Sequence, residues 1–217
     1  YAGGTADSYG TVTLKSGTLS LQTEVYETHV GCNNSVVRIK EGGVFNMEGG
    51  AIRTYDADSG SSNYSSGGVF NMGGTATLSG GSIVTKGDET MGVYVNAETN
   101  LNGTNIDSEA YAVKVNNGAV KITDGLISSG KGSVSFDEDA SGSAVITGGT
   151  ISDKSGKPID MEQAGAAAAA AVSGGTFSDS VSGYASEDAK DELERGSGES
   201  FLYFKTIEEV QLNIQPG

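Results

Sequence analysis

The sequence predicts an all-β chain wound as a single-stranded parallel β-helix, a solenoid of about seven rungs, with a C-terminal helix-and-strand cap. Three observations predict it. A six-residue motif recurs as MEGGAI (47–52), LSGGSI (78–83), LNGTNI (101–106), ITDGLI (122–127), ITGGTI (146–151) and VSGGTF (172–177). A second, strictly alternating element recurs beside it as VTL (12–14), VRI (37–39), FNM (70–72), VYV (93–95), VKV (113–115), VSF (134–136) and IDM (159–161). The composition, 34 Gly against 2 Pro and no Trp in 217 residues, is rich in turns and strands without collagen's period.

The alternating elements are the expected first strands. Residues i and i+2 of a strand share a face, so Val12/Leu14, Val37/Ile39, Phe70/Met72, Val93/Val95, Val113/Val115, Val134/Phe136 and Ile159/Met161 should all point inward. The residues between them, Thr13, Arg38, Asn71, Tyr94, Lys114, Ser135 and Asp160, should point to solvent. Second strands follow, with Leu19/Leu21, Phe45/Met47, Ala76/Leu78, Val120/Ile122 and Ala144/Ile146 inward; Leu101 keeps half of its pair, and Val145 breaks the outward polar pattern. The closing Ile of each motif, or Phe177, starts a third strand, reached through a glycine pair where the chain turns sharply. The hexapeptide GGVFNM, at 42–47 and again at 67–72, is then expected to present one shape to successive rungs.

A lone rung cannot stand. About five apolar side chains at ~1.5–3 kcal/mol each do not offset ~1–2 kcal/mol of backbone entropy for each of roughly two dozen residues. Stacking supplies backbone hydrogen bonds on both sides of a rung and one continuous apolar column. A β-sandwich of hairpins is the rival; Asn102-Gly103 and Asn117-Gly118 are its turn signals, but they fall inside a repeat whose period suits a coil.

The Val-x-Val and (Ile/Leu/Met)-x-Gly-Gly-x-Ile repeat resembles that of right-handed parallel β-helix proteins, the pectate-lyase-like superfold of secreted and cell-wall proteins, as in surface proteins of gut bacteria. The resemblance covers residues 12 to about 178, and VSGGTFSDSVSGYAS (172–186) is similar to the last rung and exit segment of such proteins. It implies right-handed winding and a secreted or cell-surface bacterial location; fold alone implies no activity.

Two regions follow: residues 1–178 form the β-helix and 179–217 the cap. Open solenoid ends invite edge-to-edge association unless covered. YASEDAKDELER (184–195) reads as a short helix with Ala185, Ala189 and Leu193 on one face, and FLYFKTIEEVQLNI (201–214) supplies closing strands or an edge cover. AGAAAAAAV (164–172) interrupts the alternation where a second strand belongs, as a small-residue strand would, or a stretch of unidentified side chains over 166–171.

The net charge of −15, from 28 acidic and 13 basic residues, opposes nucleic acid and anionic lipid as partners. No apolar run approaches the roughly 18 residues of a membrane span. The chain shows neither an initiating Met nor a signal peptide and reads as part of a longer precursor. One cysteine, Cys32, excludes an intrachain disulfide and a cysteine-rich zinc site.

Polygalacturonases on this fold carry paired aspartates, a Gly-His-Gly turn and an Arg-Ile-Lys motif. Here Arg38-Ile39-Lys40 follows the single histidine, His29, by nine residues, too close for a full coil, and no Asp-Asp pair precedes them. Without two carboxylates, glycoside hydrolysis has neither acid nor base, so no catalytic residues are expected. Pectate lyases use acidic calcium ligands. The candidate calcium ligands here are Asp137, Glu138 and Asp139 in FDEDAS (136–141), and Glu162, with Asn96, Asn116, Asp137 and Glu162 in one column. No other cofactor is expected. The candidate glycan-contacting residues are Tyr94, outward between Lys114 and the Asn71 column, and Tyr55 and Tyr64 in the insertion TYDADSGSSNYSSGG (54–68).

The expected function is that of a monomeric, non-catalytic, structural or adhesin-like module touching an extracellular glycan or a host or cell-wall surface. The alternative is a lyase or hydrolase of acidic polysaccharide drawing carboxylates such as Asp137 and Glu138 from different rungs.

Overall fold

The computed structural model describes residues 10–23, 34–56, 66–186, 191–195 and 200–204. Strands β1 (Thr11–Leu14) and β2 (Thr18–Thr23) open the stack. Complete turns follow: β3 (Asn34–Ile39), β4 (Val44–Met47) and β5 (Ala51–Asp56); β6 (Ser66–Asn71), β7 (Thr75–Leu78) and β8 (Ser82–Thr85); β9 (Met91–Val95), β10 (Thr99–Asn102) and β11 (Asn105–Ser108). The next are β12 (Tyr111–Val115), β13 (Ala119–Asp124) and β14 (Leu126–Ser129), then β15 (Gly132–Phe136) with the long β16 (Ser143–Asp153). A short last turn holds β17 (Ile159–Asp160) and β18 (Ala169–Phe177).

Like strands stack on like strands, all parallel, in three columns. The first is β3-β6-β9-β12-β15-β17 and the second β1-β4-β7-β10-β13-β16-β18; the third is β2-β5-β8-β11-β14, continued by the ends of β16 and β18. The architecture is a parallel β-solenoid with about five complete turns, not seven equal rungs. The expected first strand VTL lies in the second column, where Val12 is opposite Phe45. Leu19 lies in the third column, opposite Ile52.

The three inner faces meet in one core. Val37, Ile39, Val93, Val95, Val113, Val115 and Val134 come from the first column; Phe45, Met47, Leu78, Leu101 and Ile122 from the second; Ile52, Ile83, Ile106, Ile127, Ile151 and Phe177 from the third. The glycine-rich corner between the second and third columns turns in the left-handed region: Gly50, Gly81, Gly125, Gly149 and Gly175 have φ of 79°, 78°, 117°, 90° and 113°. In LNGTNI the glycine comes one residue earlier, Gly103 at φ 113°, and the β10–β13 register shifts beside it, between Leu101 and Asn102.

The first column departs from simple alternation. Pairing runs from Tyr111↔Met91 to Val113↔Val93 and Lys114↔Tyr94. Ala112 and Val113 both belong to the core. A Cβ on Gly92, which precedes the buried Val93, would come 2.5 Å from Ile106 Cγ2 and 2.6 Å from the Ala112 carbonyl oxygen, so position 92 also faces the interior. Two consecutive inward residues set outward side chains three residues apart, bringing Tyr111 and Lys114 to the same face.

This offset also separates the copies of GGVFNM. In the first, Phe45 and Met47 are inward in the second column. In the second, the chain is in the first column, where Val69 pairs with Val37 and Val93, Phe70 with Arg38 and Tyr94, and Asn71 with Ile39 and Val95. Val69 and Asn71 therefore take the inward positions expected of Phe70 and Met72, and Met72 is 36 % exposed. Phe70 is fully buried, in the outward register of Tyr94, with its ring over Gly67, where any Cβ would collide with it.

At the C-terminal end the expected helix over 184–195 is not formed among the described residues. Ser182–Tyr184 is a single 3-10 turn, and Asp191–Arg195 is a strand, β19. It pairs antiparallel with β20 (Ser200–Phe204), which pairs antiparallel with the end of β18 and occupies that edge. An extended edge strand hydrogen-bonds the open carbonyls and amides directly, which a helix cannot do. The alanine run enters the second column in register, Ala169, Ala170 and Ala171 opposite Ser143, Ala144 and Val145. At the other end Val12 is 42 % exposed.

Candidate functional site

The outward face of the first column gathers polar and aromatic side chains from successive turns. Its register is Arg38, Phe70, Tyr94, Lys114, Ser135 and Asp160. Phe70 and Tyr94 pack with ring centroids 5.4 Å apart at 45°. The aromatic neighbour of Tyr94 is therefore Phe70, where the outward residue was expected to be Asn71.

On its other side Tyr94 joins a polar network. Asn116 Nδ2 donates to the Tyr94 hydroxyl at 2.8 Å, and that hydroxyl donates to Asp137 Oδ2 at 3.3 Å. Lys114 Nζ lies 3.7 Å from Asp137 Oδ1 and 4.1 Å from the centroid of the Tyr111 ring. The lysine is mostly buried, 17 % exposed at its side chain, so both attractions act with partial desolvation. Asn116 and Asp137 arrive here because the ladder continues one residue past each strand: the Asn116 amide donates to Val95 O and the Asp137 amide to Val115 O.

Burial, and secondarily the charge of Asp137, raises the Tyr94 phenol above the ordinary tyrosine range; the Asn116 hydrogen bond acts the other way. Folding favours the protonated phenol. The stability it contributes is present below the unfolded-state value of about 10 and is lost as pH rises through the folded-state value. Ultraviolet titration of wild type minus Tyr94→Phe is expected to show one tyrosine titrating late. A difference curve centred at or below the ordinary value would contradict the network.

The four candidate calcium ligands separate. Asp137 turns to Tyr94 and Lys114, Glu138 and Asp139 are exposed in the turn after β15, and Glu162 is ion-paired to Lys157 at 2.8 Å. Among the described residues no three His, Cys, Asp or Glu side chains are grouped to hold a metal ion. Tyr55 is placed by backbone register alone, opposite Gln22 in β2. Tyr64, His29 and Cys32 lie outside the described residues. Arg38 follows the first-column register opposite Phe70, flanked by the buried Val37 and Ile39.

The sequence reading missed a second polar array, inside the solenoid. The inward position two residues after each motif isoleucine is Thr54, Thr85, Ser108, Ser129 and Asp153, all buried. Thr85 Oγ1 donates to Ser108 Oγ at 2.7 Å, and Ser129 Oγ donates to Asp153 Oδ2 at 2.5 Å. A signal was present: Ile-x-Thr, Ile-x-Thr, Ile-x-Ser, Ile-x-Ser and Ile-x-Asp recur in order. Thr99 supplies the missing half of the Leu101 pair and accepts a bond from Asn71 Nδ2 at 3.1 Å.

Compared with protein-family models, curated proteins and solved structures, the chain matches none. Among the described residues no helix is long and apolar enough to cross a membrane.

Proposed function

We propose that this chain is a non-catalytic, structural or adhesin-like β-solenoid of the pectate-lyase-like type, secreted or displayed on a bacterial surface, that contacts a glycan through the outward face of its first column. One observation carries the reading: Tyr94, Tyr111, Lys114, Asn116 and Asp137, from three successive turns, converge on that face. Aromatic surface beside fixed donors and acceptors is what sugar rings use, apolar C–H faces on the ring and hydroxyls on the polar rim. A continuous packed interior holds the face at fixed strand spacing, as a rigid display surface requires.

Glycan-array binding of the wild-type chain, repeated with Tyr94→Ala, tests the reading. The variant is expected to lose about tenfold or more in affinity, roughly 1.4 kcal/mol. Equal binding by both proteins would remove the face from consideration. Release of new sugar ends by the purified protein would favour the alternative, a lyase or hydrolase with carboxylates from several turns.

A further inference from the structure

We infer that a notch one turn wide in this outward face is a subsite for the hydroxyl edge of a neutral sugar. The inference rests on the glycan reading above and names the class of ligand it favours. The notch is a product of the repeat. Tyr111 is in register with Gly132, and Lys114 with Ser135, which is followed by Asp160. An aromatic ring and a long amine on one turn thus give way to a hydrogen and a hydroxymethyl on the next, before the side chains lengthen again. With strands about 4.8 Å apart, the walls stand roughly 10 Å from each other.

The resulting cavity, about 90 Å³, is lined by Tyr111 and Lys114 on one side, Asp160, Glu162 and Gln163 on the other, and Ser135 between. A volume of this size admits a few hydroxyl groups of a ring edge.

Ser135 supplies the second, independent observation. Its side chain is 98 % buried, with 2 % exposure, and Oγ has no hydrogen-bond partner among the described residues. An orphaned buried hydroxyl carries a desolvation cost that alanine would avoid. Oγ is closed to solvent, so a ligand hydroxyl bonds it only once the side chains lining the notch move aside, and that bond would offset the cost.

The charges select the ligand. Lys114 is held by Asp137, and Lys157 lies 2.8 Å from Glu162 and 3.9 Å from Asp160. Three carboxylates against two ammonium groups leave this cluster at −1, on a chain whose formal charge is −15. A uronate would meet net repulsion. A neutral hydroxyl pair can accept from Lys114 or Gln163 and donate to Asp160, Glu162 or Ser135 without changing the charge balance.

Calorimetric titration of neutral hexose oligosaccharides and of oligogalacturonate into wild type, Ser135→Ala, Gly132→Ala and Tyr94→Ala tests this. Neutral oligomers are expected to bind at least about tenfold more tightly than oligogalacturonate. Ser135→Ala should weaken neutral-sugar binding by about tenfold while its Tm holds or rises, because the orphaned hydroxyl is gone. Gly132→Ala, whose added Cβ would sit 3.1 Å from Ser135 Cβ and 3.5 Å from Tyr111 Cδ1, narrows the notch and should weaken the same ligands. If Tyr94→Ala loses binding while Ser135→Ala and Gly132→Ala keep it, the notch is refuted and the glycan face stands. Preference for oligogalacturonate also refutes the notch as a neutral-sugar subsite. If no sugar binds wild type, the face and the notch fall together.

Discussion

Alanine at corresponding letters of the two GGVFNM copies is expected to give opposite results. Met47→Ala should cost about 2–5 kcal/mol, because a fully buried thioether leaves a cavity between the second-column strands. Met72→Ala should stay within about 0.5 kcal/mol, since that side chain is already in contact with solvent. The asparagines reverse the order. Asn71 is fully buried, donates to Glu98 O at 2.7 Å and to Thr99 Oγ1, and accepts from the Gly74 amide at 3.0 Å. Asn71→Ala leaves these groups without their side-chain partner and should cost about 2–4 kcal/mol; Asn46→Ala, on the outward side of β4, should cost a few tenths. Urea unfolding of the four variants measures all of this. Equal losses at Met47 and Met72 would mean that the copies share one register after all.

Asp153→Ala is expected to remove about 2–4 kcal/mol, again read from urea midpoints. Asp153 is 7 % exposed and ends the interior hydroxyl array. Its Oδ2 accepts from Ser129, and its Oδ1 accepts from the amides of Ser155 at 2.9 Å and Lys157 at 3.1 Å and from the Ser155 hydroxyl. The Ser133 hydroxyl lies 2.9 Å from that of Ser129 and donates to Ser152 O at 2.6 Å. Truncation orphans a chain of donors that water reaches only at the turn. Asp153→Asn should cost less, because its amide oxygen can replace one acceptor while the Ser129 hydroxyl rotates to accept. A loss under about 0.5 kcal/mol for the alanine variant would show that the array is not held by this carboxylate.

Much of this was legible locally. The motif isoleucines and the glycine corners appear where the hexapeptide repeat puts them, because a buried aliphatic column and a left-handed turn each demand a narrow choice of residue. The placement of Tyr94 beside Lys114, and of Asn116 and Asp137 one position past their strands, was legible from strand alternation and spacing as well. The pairing of Lys114 with Tyr111 was not. Alternation puts residues three apart on opposite faces, and only the doubled inward step at Ala112 and Val113 returns them to one. The tail was misread because alanine and leucine spacing in 184–195 satisfies a helix locally, while Asp191–Arg195 forms a strand on β20, which itself pairs with the end of β18.

By itself the sequence determined that the chain coils into stacked parallel turns, since every turn repeats an aliphatic inner face and a glycine corner that are stable only against a like neighbour. It did not determine which column a given hexapeptide enters, nor what fills the outer face. Those depend on register, and register is set by how two turns pack against each other, so identical letters in GGVFNM are driven to different faces. The notch at Ser135 has the same origin: small residues leave open space only where the turns above and below happen to carry long side chains.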